Sequence, residues 1–299
     1  MNGVFLMLPD FALIAIGVVL ARRIRFPEGF WSGVEKLVYF VLFPALLFYT
    51  ISTARFSLES TQWFLITGLA AMSGAVALGF LGHPLLRTSG TVVSSSVQTA
   101  FRFNSYVGFA LASSLYGTEG LALMALITAL WVPIGNLVAV SSMAGQSQQS
   151  IWGELARNPL ILATLTGLVF NLSGLSLPDP GAVLLKRLGD ASLALGLLAI
   201  GAGLRFSAAR GCRAVIAWFV TVRLALVPAL ALGLALLAGL SPLELQVLVL
   251  FAALPTSPTC YILAVRMNGH GPAVAAIITA QTVLAMFTLP LWATASSLF

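Results

Sequence analysis

Charged side chains are scarce in this sequence: only 8% of its 299 residues are Asp, Glu, Lys or Arg, against about 25% in an ordinary soluble domain. Water would not tolerate the surface such a chain presents, which excludes a soluble globular protein. Histidine and cysteine occur twice each. Neither pair falls at a metal-ligand spacing, and Cys212, in a short basic stretch, and Cys260, in an apolar one, suggest no disulfide framework. Both thiols are expected to be inert. The apolar runs also lack any Ser/His/Asp, HExxH or paired-carboxylate arrangement, and no G-x-x-x-x-G-K-[ST] loop exists. These absences speak against an enzyme, a bound cofactor and a self-contained ATP-driven pump.

What remains is apolar: 59% of residues are hydrophobic and the mean hydropathy is +1.01. A bilayer span takes about 20 apolar residues, and its backbone polar groups must be satisfied internally, so each long run is read as a helix and none as a strand. Ten runs emerge, near residues 4–21, 34–53, 62–82, 91–116, 119–142, 158–175, 183–204, 214–238, 244–268 and 272–296. They leave no room for a sizeable soluble domain. The stretch before Pro9 has no basic region and the arginines follow the apolar run, so it reads as a retained first span and not a cleaved signal.

The net charge of +6 and pI near 9.9 would suggest nucleic acid in a soluble protein. Here the basic residues sit in short stretches between spans, so no nucleic-acid partner is expected and the charges orient the chain in its lipid bilayer. Arg22, Arg23, Arg25, Lys36, Arg87, Arg157, Arg205, Arg210, Arg213 and Arg266 fall on one side. Arg55, Lys186 and Arg187 fall on the other, and Arg102 and Arg223 lie within spans. The positive-inside rule places the richer side in the cytoplasm and both termini outside it, in a multi-pass membrane protein.

An offset of about 150 residues relates the two halves. Pro9 and Gly17 match Pro159 and Gly167, and at 152 Ser105, Leu111, Ala112 and Gly117 match Ser257, Leu263, Ala264 and Gly269. A five-helix unit is odd-numbered, so its second copy enters the membrane inverted, the plan of many secondary transporters. The expected division is residues 1–143, a cytoplasmic linker at 144–157 containing "AGQSQQSIWGEL", and residues 158–299.

Counterpart spans 4 and 9 both look interrupted. "TAFRFNSYVGFAL" places Arg102, Asn104 and Ser105 at mid-membrane, and "FAALPTSPTCYIL" places Pro255, Thr256, Ser257, Pro258 and Thr259 at matching depth. Two prolines three apart remove two amide donors and clash with preceding carbonyls. Asn104, Ser105, Ser257 and Thr259 are helix-capping types. Two half-helices starting there from opposite directions would aim their amide ends at one point and form an anion site. A proline that merely kinks a helix, with Ser and Thr bonded to their own backbone, is the competing reading. Arg102 either attracts a carboxylate or snorkels to the cytoplasm; Arg223 reads as structural. Asp10 and Asp190 are expected to be solvated or to stabilise helix starts. Gln98, Asn136 and Gln281 either line a cavity or bond between helices. Pro44 and Pro228 should bend their spans, and Gly196, Gly201 and Gly203 should allow close helix packing. His83 and His270 are expected to stand apart from proton coupling.

The segments "FRFNSYVGFALASSLYGTEGLALMALITALWVPIGNLVAV", "LGLLAIGAGLRF" and "AALPTSPTCYILAVRMNGHGPAVAAIITAQTVLAMFTLPLW" resemble bacterial members of the auxin efflux carrier family, over essentially the whole chain. The resemblance implies an all-α fold of ten transmembrane helices as two inverted five-helix repeats, with helices 4 and 9 broken and crossed as in bile-acid symporters and sodium/proton antiporters. It implies a scaffold of spans 1, 2, 6 and 7, an elevator-like transport unit and a homodimer. It also implies a bacterial inner membrane, and substrate contacts from Asn104 and from Pro255 with its neighbours. Ser257 and Pro258 depart from the family pattern, so an Asn from span 9 is missing, and the long loop of plant auxin exporters is absent. The expected activity is secondary transport of a small organic anion, a carboxylate, with proton or sodium coupling left open. An anion channel or a non-transporting membrane receptor is the alternative. Alkaline phosphatase fused after Phe299 should be active and a fluorescent-protein fusion dark, and the reverse pattern would invert the orientation.

Overall fold

The computed structural model describes residues 2–54, 58–143, 158–204 and 212–299. All regular structure among them is helical. In chain order the helices are α1 (Asn2–Arg23), α2 (Phe30–Thr53), α3 (Leu58–Phe80), α4 (Gly90–Val97, extended by a 3-10 turn, Gln98–Ala100), α5 (Ser105–Ser142), α6 (Pro159–Leu172), α7 (Asp179–Gly203), α8 (Arg213–Leu237), α9 (Pro242–Ala253), α10 (Thr259–Arg266) and α11 (Gly271–Ser296). The expected linker at 144–157, with Arg157, and the loop residues Arg55, Arg205 and Arg210 lie outside the described residues.

Among the described residues, five helical stretches have the length and apolarity to cross a bilayer: Phe30–Thr53, Thr61–Leu85, Gly90–Ser142, Arg213–Leu237 and Gly271–Ser296. Pro159–Leu172 and Pro242–Ala253 are apolar but shorter, roughly 21 and 18 Å long at 1.5 Å per residue. Outward faces carry apolar stripes at helical spacing, such as Leu162, Leu165, Val169 and Leu172 on α6, with Val169 68% exposed. Lipid, not water, suits such faces. The chain is therefore a multi-pass helical membrane protein.

Local sequence explains where the helices bend. Wide π-turns at Val38–Leu42 and Val222–Leu226 lie just before Pro44 and Pro228. Each proline lacks an N–H and crowds the carbonyl four residues earlier, which a wider turn accommodates. The carbonyl opposite Pro228, that of Leu224, accepts instead from the indole of Trp292 at 2.8 Å. Gly117, with φ of 63°, divides α5 into two helical runs, a conformation that glycine adopts without steric penalty.

Glycines also set the tightest packing. A Cβ on Gly17 of α1 would lie 2.1 Å from the Leu198 carbonyl oxygen of α7, and one on Gly201 would lie 1.9 Å from that of Ile14. On the other pair, a Cβ on Gly167 of α6 would lie 3.1 Å from the Phe48 carbonyl oxygen of α2. Gly17 and Gly167 are 150 residues apart, and so are Phe48 and Leu198. Asn171 then caps α2 by donating to the carbonyls of Ile51, Ser52 and Ala54 at 2.8 to 3.2 Å. Of the glycines expected to pack, Gly201 does so closely, a Cβ on Gly196 would touch the Phe43 ring at 3.4 Å, and Gly203 has open space around it.

Valine at Gly17 should therefore force α1 and α7 apart and cost about 3 kcal/mol or more, beyond ordinary overpacking. The melting temperature of the purified protein should fall clearly. The control Gly233→Ala, where no atom lies within 4 Å of the new Cβ, should hold it.

Candidate substrate site at two interrupted helices

The helical path stops after Ala100 and resumes at Ser105, and stops after Ala253 and resumes at Thr259. The two interruptions form by different local chemistry. Pro255 excludes helical geometry for the residue before it, and Leu254 is extended at φ −60°, ψ 140°. Pro258, at φ −56°, then suits the start of α10. The first break has no proline. Asn104 is extended (φ −88°, ψ 98°), and its Oδ1 accepts from the Tyr106 N–H at 3.1 Å, capping the lower run of α5.

The breaks meet. The Asn104 N–H donates to the Pro255 carbonyl at 2.8 Å, and Gln98 Nε2 donates to the Cys260 carbonyl at 3.0 Å. Gln281 of α11 accepts from the Thr256 N–H at 2.9 Å and donates to the Thr99 and Phe219 carbonyls at 3.3 and 2.9 Å. Trp131 of α5 donates to the Phe101 carbonyl at 3.0 Å. Arg223, fully buried in α8, donates from Nε to the Leu254 carbonyl at 2.6 Å, from Nη2 to that of Phe251 at 3.1 Å and from Nη1 to that of Ala100 at 3.3 Å. Its structural reading holds, as a bridge between the carboxyl ends of both interrupted helices.

On the opposite side of these bonds, the starts of α5 and α10 border a cavity of about 400 Å³, within the range of small-molecule sites. Its wall includes Arg102, Asn104, Ser105, Ser257, Pro258 and Thr259. Pro255 and Thr256 are instead buried in the packed layer behind the wall. Arg102 is half-buried. Its Nη1 donates to Gln98 Oε1 and its Nη2 to Thr259 Oγ1, both at 3.0 Å, and Thr259 Oγ1 lies 2.9 Å from Ser257 Oγ. A guanidinium held this way sits beside two positive helix ends. Asn104 is 2% exposed, and its Nδ2 is buried without an acceptor. The capping bond fixes which end of the amide is which, so the unused group is a pair of donors.

The wall also carries Glu35 and Tyr39 from α2, Tyr106, Asn136 and Asn158. Sequence reading missed Glu35, although Glu35 and Tyr39 share one helix face at four-residue spacing. Of the three amides left open, Gln98 and Gln281 bond between helices and Asn136 lines the cavity. Asp10 departs from expectation: it is 9% exposed, hydrogen-bonded to Ser114, with its other carboxylate oxygen unpartnered. The cause is its place on the face of α1 that packs against α5. Asp190 is exposed as expected. His83 lies near Ser94, and His270 caps α11 by accepting from the Ala273 N–H at 3.1 Å; neither lines the cavity. Cys212 and Cys260 are buried free thiols.

A helical membrane protein with a largely apolar cavity that carries a few polar groups where two broken helices meet has the features of a transport protein. The family model described as "Membrane transport protein" matches residues 3–293, and the chain belongs to this family, the auxin efflux carriers. It is 27% identical over 306 residues to the "Putative malonate transporter" of Rhizobium meliloti, covering 95% of this chain and 92% of that protein. It is 25% identical over 288 residues to an "Uncharacterized transporter" of Methanothermobacter thermautotrophicus, covering 94% of both chains. To the "Uncharacterized transporter YfdV" of Escherichia coli K12 it is 26% identical over 304 residues, covering 96% and 95%.

Gln281→Leu should strand the Thr256 amide and two carbonyls inside the fold. A loss of about 1–3 kcal/mol per orphaned group should appear as a lower melting temperature, while Asn136→Leu, at the cavity wall, should melt near the parent value.

Proposed function

We propose that this membrane transport protein is a secondary carrier of a small carboxylate, bound in the cavity between the starts of α5 and α10. The observation that carries the reading is the unused amide of Asn104, buried in the cavity wall beside Arg102 and two helix amino ends. Buried donors without partners are costly, and a carboxylate supplies the missing acceptor as well as the counter-charge. The substrate named for the Rhizobium relative, malonate, agrees with this chemistry.

In this reading α4 with the lower run of α5, and α9 with α10, each make one interrupted span. The chain then has ten spans in two inverted copies, residues 1–143 and 158–299, joined at 144–157. The glycine-mediated pairs α1/α7 and α2/α6 form the scaffold, through which two copies of the chain would pair as a homodimer. The crossover travels against the scaffold like an elevator. The cavity wall draws on the second and third turns of α2, the cap of α6, the end of α7 and the first turns of α11. All lie next to the loops richest in Arg and Lys, which supports a cavity open to the cytoplasm of a bacterial inner-membrane protein with both termini outside. Behind it Phe43 stacks on Tyr106 at 4.8 Å and meets Phe109 at 5.4 Å, and both phenylalanines are fully buried. That aromatic plug supports one-sided access over an open channel, and a moving cavity over a static receptor.

Uptake of radiolabelled malonate, malate and other carboxylates into proteoliposomes, with and without proton or sodium gradients, tests the assignment. Asn104→Leu should reduce uptake about ten- to a hundredfold, the worth of one hydrogen bond to a charged group, and lower melting as well because it removes the cap of α5. Asn104→Ser, which keeps a capping oxygen and loses the amide donors, should lose uptake to a similar degree while elution and melting stay near the parent. Undiminished flux in that variant, or indifference to every carboxylate, would overturn the assignment.

A further inference from the structure

The three carbonyls held by Arg223 are an unusual set of acceptors. Ala100 ends α4, while Phe251 and Leu254 end α9, so the carboxyl ends of two helices from distant parts of the chain point at one buried position. Each end carries partial negative charge, and of the three carbonyls that of Phe251 also accepts the Leu254 N–H, at a long 3.5 Å. Converging carbonyls of half-helix carboxyl ends are what bind sodium in other broken-helix transporters. Here every recorded partner of the guanidinium is neutral, the three carbonyls and the Met72 sulfur at 3.9 Å. Helix ends, not a carboxylate, therefore balance its charge. Gln281 and Trp131 satisfy neighbouring groups but bring no charge.

We infer that the crossover contains a cation site built from the Ala100, Phe251 and Leu254 carbonyls, which Arg223 fills as a permanently tethered cation. Sodium does not bind there. Removing the side chain opens the site to a small external cation that fits the same carbonyls, guanidinium best and sodium more weakly. The inference concerns binding and stability, so it stands or falls separately from the carboxylate assignment.

The test is thermal unfolding of the purified full chain. Replacing sodium by choline at constant ionic strength should leave the parent's melting temperature unchanged. Arg223→Ala should lower it by about 10 °C, as loss of a buried charge from its partners does. Millimolar guanidinium should restore at least half of that loss, whereas urea, its neutral isostere, should restore none. Arg223→Met, similar in bulk but uncharged, should melt near the alanine variant, and Arg223→Lys between alanine and the parent. Sodium-dependent stabilisation of the parent would overturn the inference. So would a methionine variant as stable as the parent, or equal responses to guanidinium and urea. If the alanine variant does not fold, the Lys-against-Met ranking and the parent's indifference to sodium decide the matter.

Discussion

A helix interrupted inside lipid must find new partners for the amides and carbonyls it frees, because no water stands ready to take them. In this chain both interruptions lie against one another, and their groups are satisfied mainly by each other and by side chains from α5, α8 and α11. Asn104 N–H meets the Pro255 carbonyl, Trp131 takes that of Phe101, Gln281 serves Thr256 and Thr99, and Arg223 serves Ala100, Phe251 and Leu254. Each group left bare would cost about 1–3 kcal/mol, so the network fixes the two breaks in one arrangement. The donor left over, Asn104 Nδ2, is at the cavity wall.

The same arrangement sorts charge. Carboxyl ends of α4 and α9 gather around Arg223 in the packed interior, and amino ends of α5 and α10 gather beside Arg102 at the cavity. Were the guanidinium of Arg223 absent, the negative ends behind the wall would weaken the attraction of an anion in front of it, since electrostatic interactions are long-ranged at low dielectric. On the proposed assignment the buried cation would favour an anion in the cavity without touching it, and Glu35, also in the cavity wall, would oppose one close to α2.

The helices and the positions of both breaks are readable along the chain because each rests on local chemistry: apolar run length, Pro255 acting on Leu254, and the capping habit of Asn104. Arg102 and Asn104 stood out for the same reason, as polar residues in an apolar run. What could not be read is which distant groups meet. Arg223 was recognisably structural, but its acceptors lie in α4 and α9. Asp10 seemed solvated from its distance to a helix end, whereas α5 covers it. Gln98 and Gln281 could not be told apart from the cavity-lining Asn136, since only tertiary packing decides which amide faces a helix and which faces space. Pro255 and Thr256 are placed with the site by their depth in span 9 and by the family resemblance, whereas the turn that ends α9 directs them into the core.

On the two-copy reading, the copies share a framework and divide the chemistry. Gly17 and Gly167 seat their helices on residues 198 and 48, and Trp131 and Gln281, again 150 residues apart, each reach the main chain of a break. The breaks themselves differ. The second is made by two prolines, which need no side-chain hydrogen bond and present little polarity to the cavity beyond Ser257 and Thr259. The first has no proline and must be capped by Asn104, whose amide end then remains for a ligand, with Arg102 two residues before it. An inverted framework needs both breaks to be open, but only one to be selective. If the cavity holds the proposed carboxylate, discrimination would then rest on the first copy, where Asn104 and Arg102 supply the polar groups.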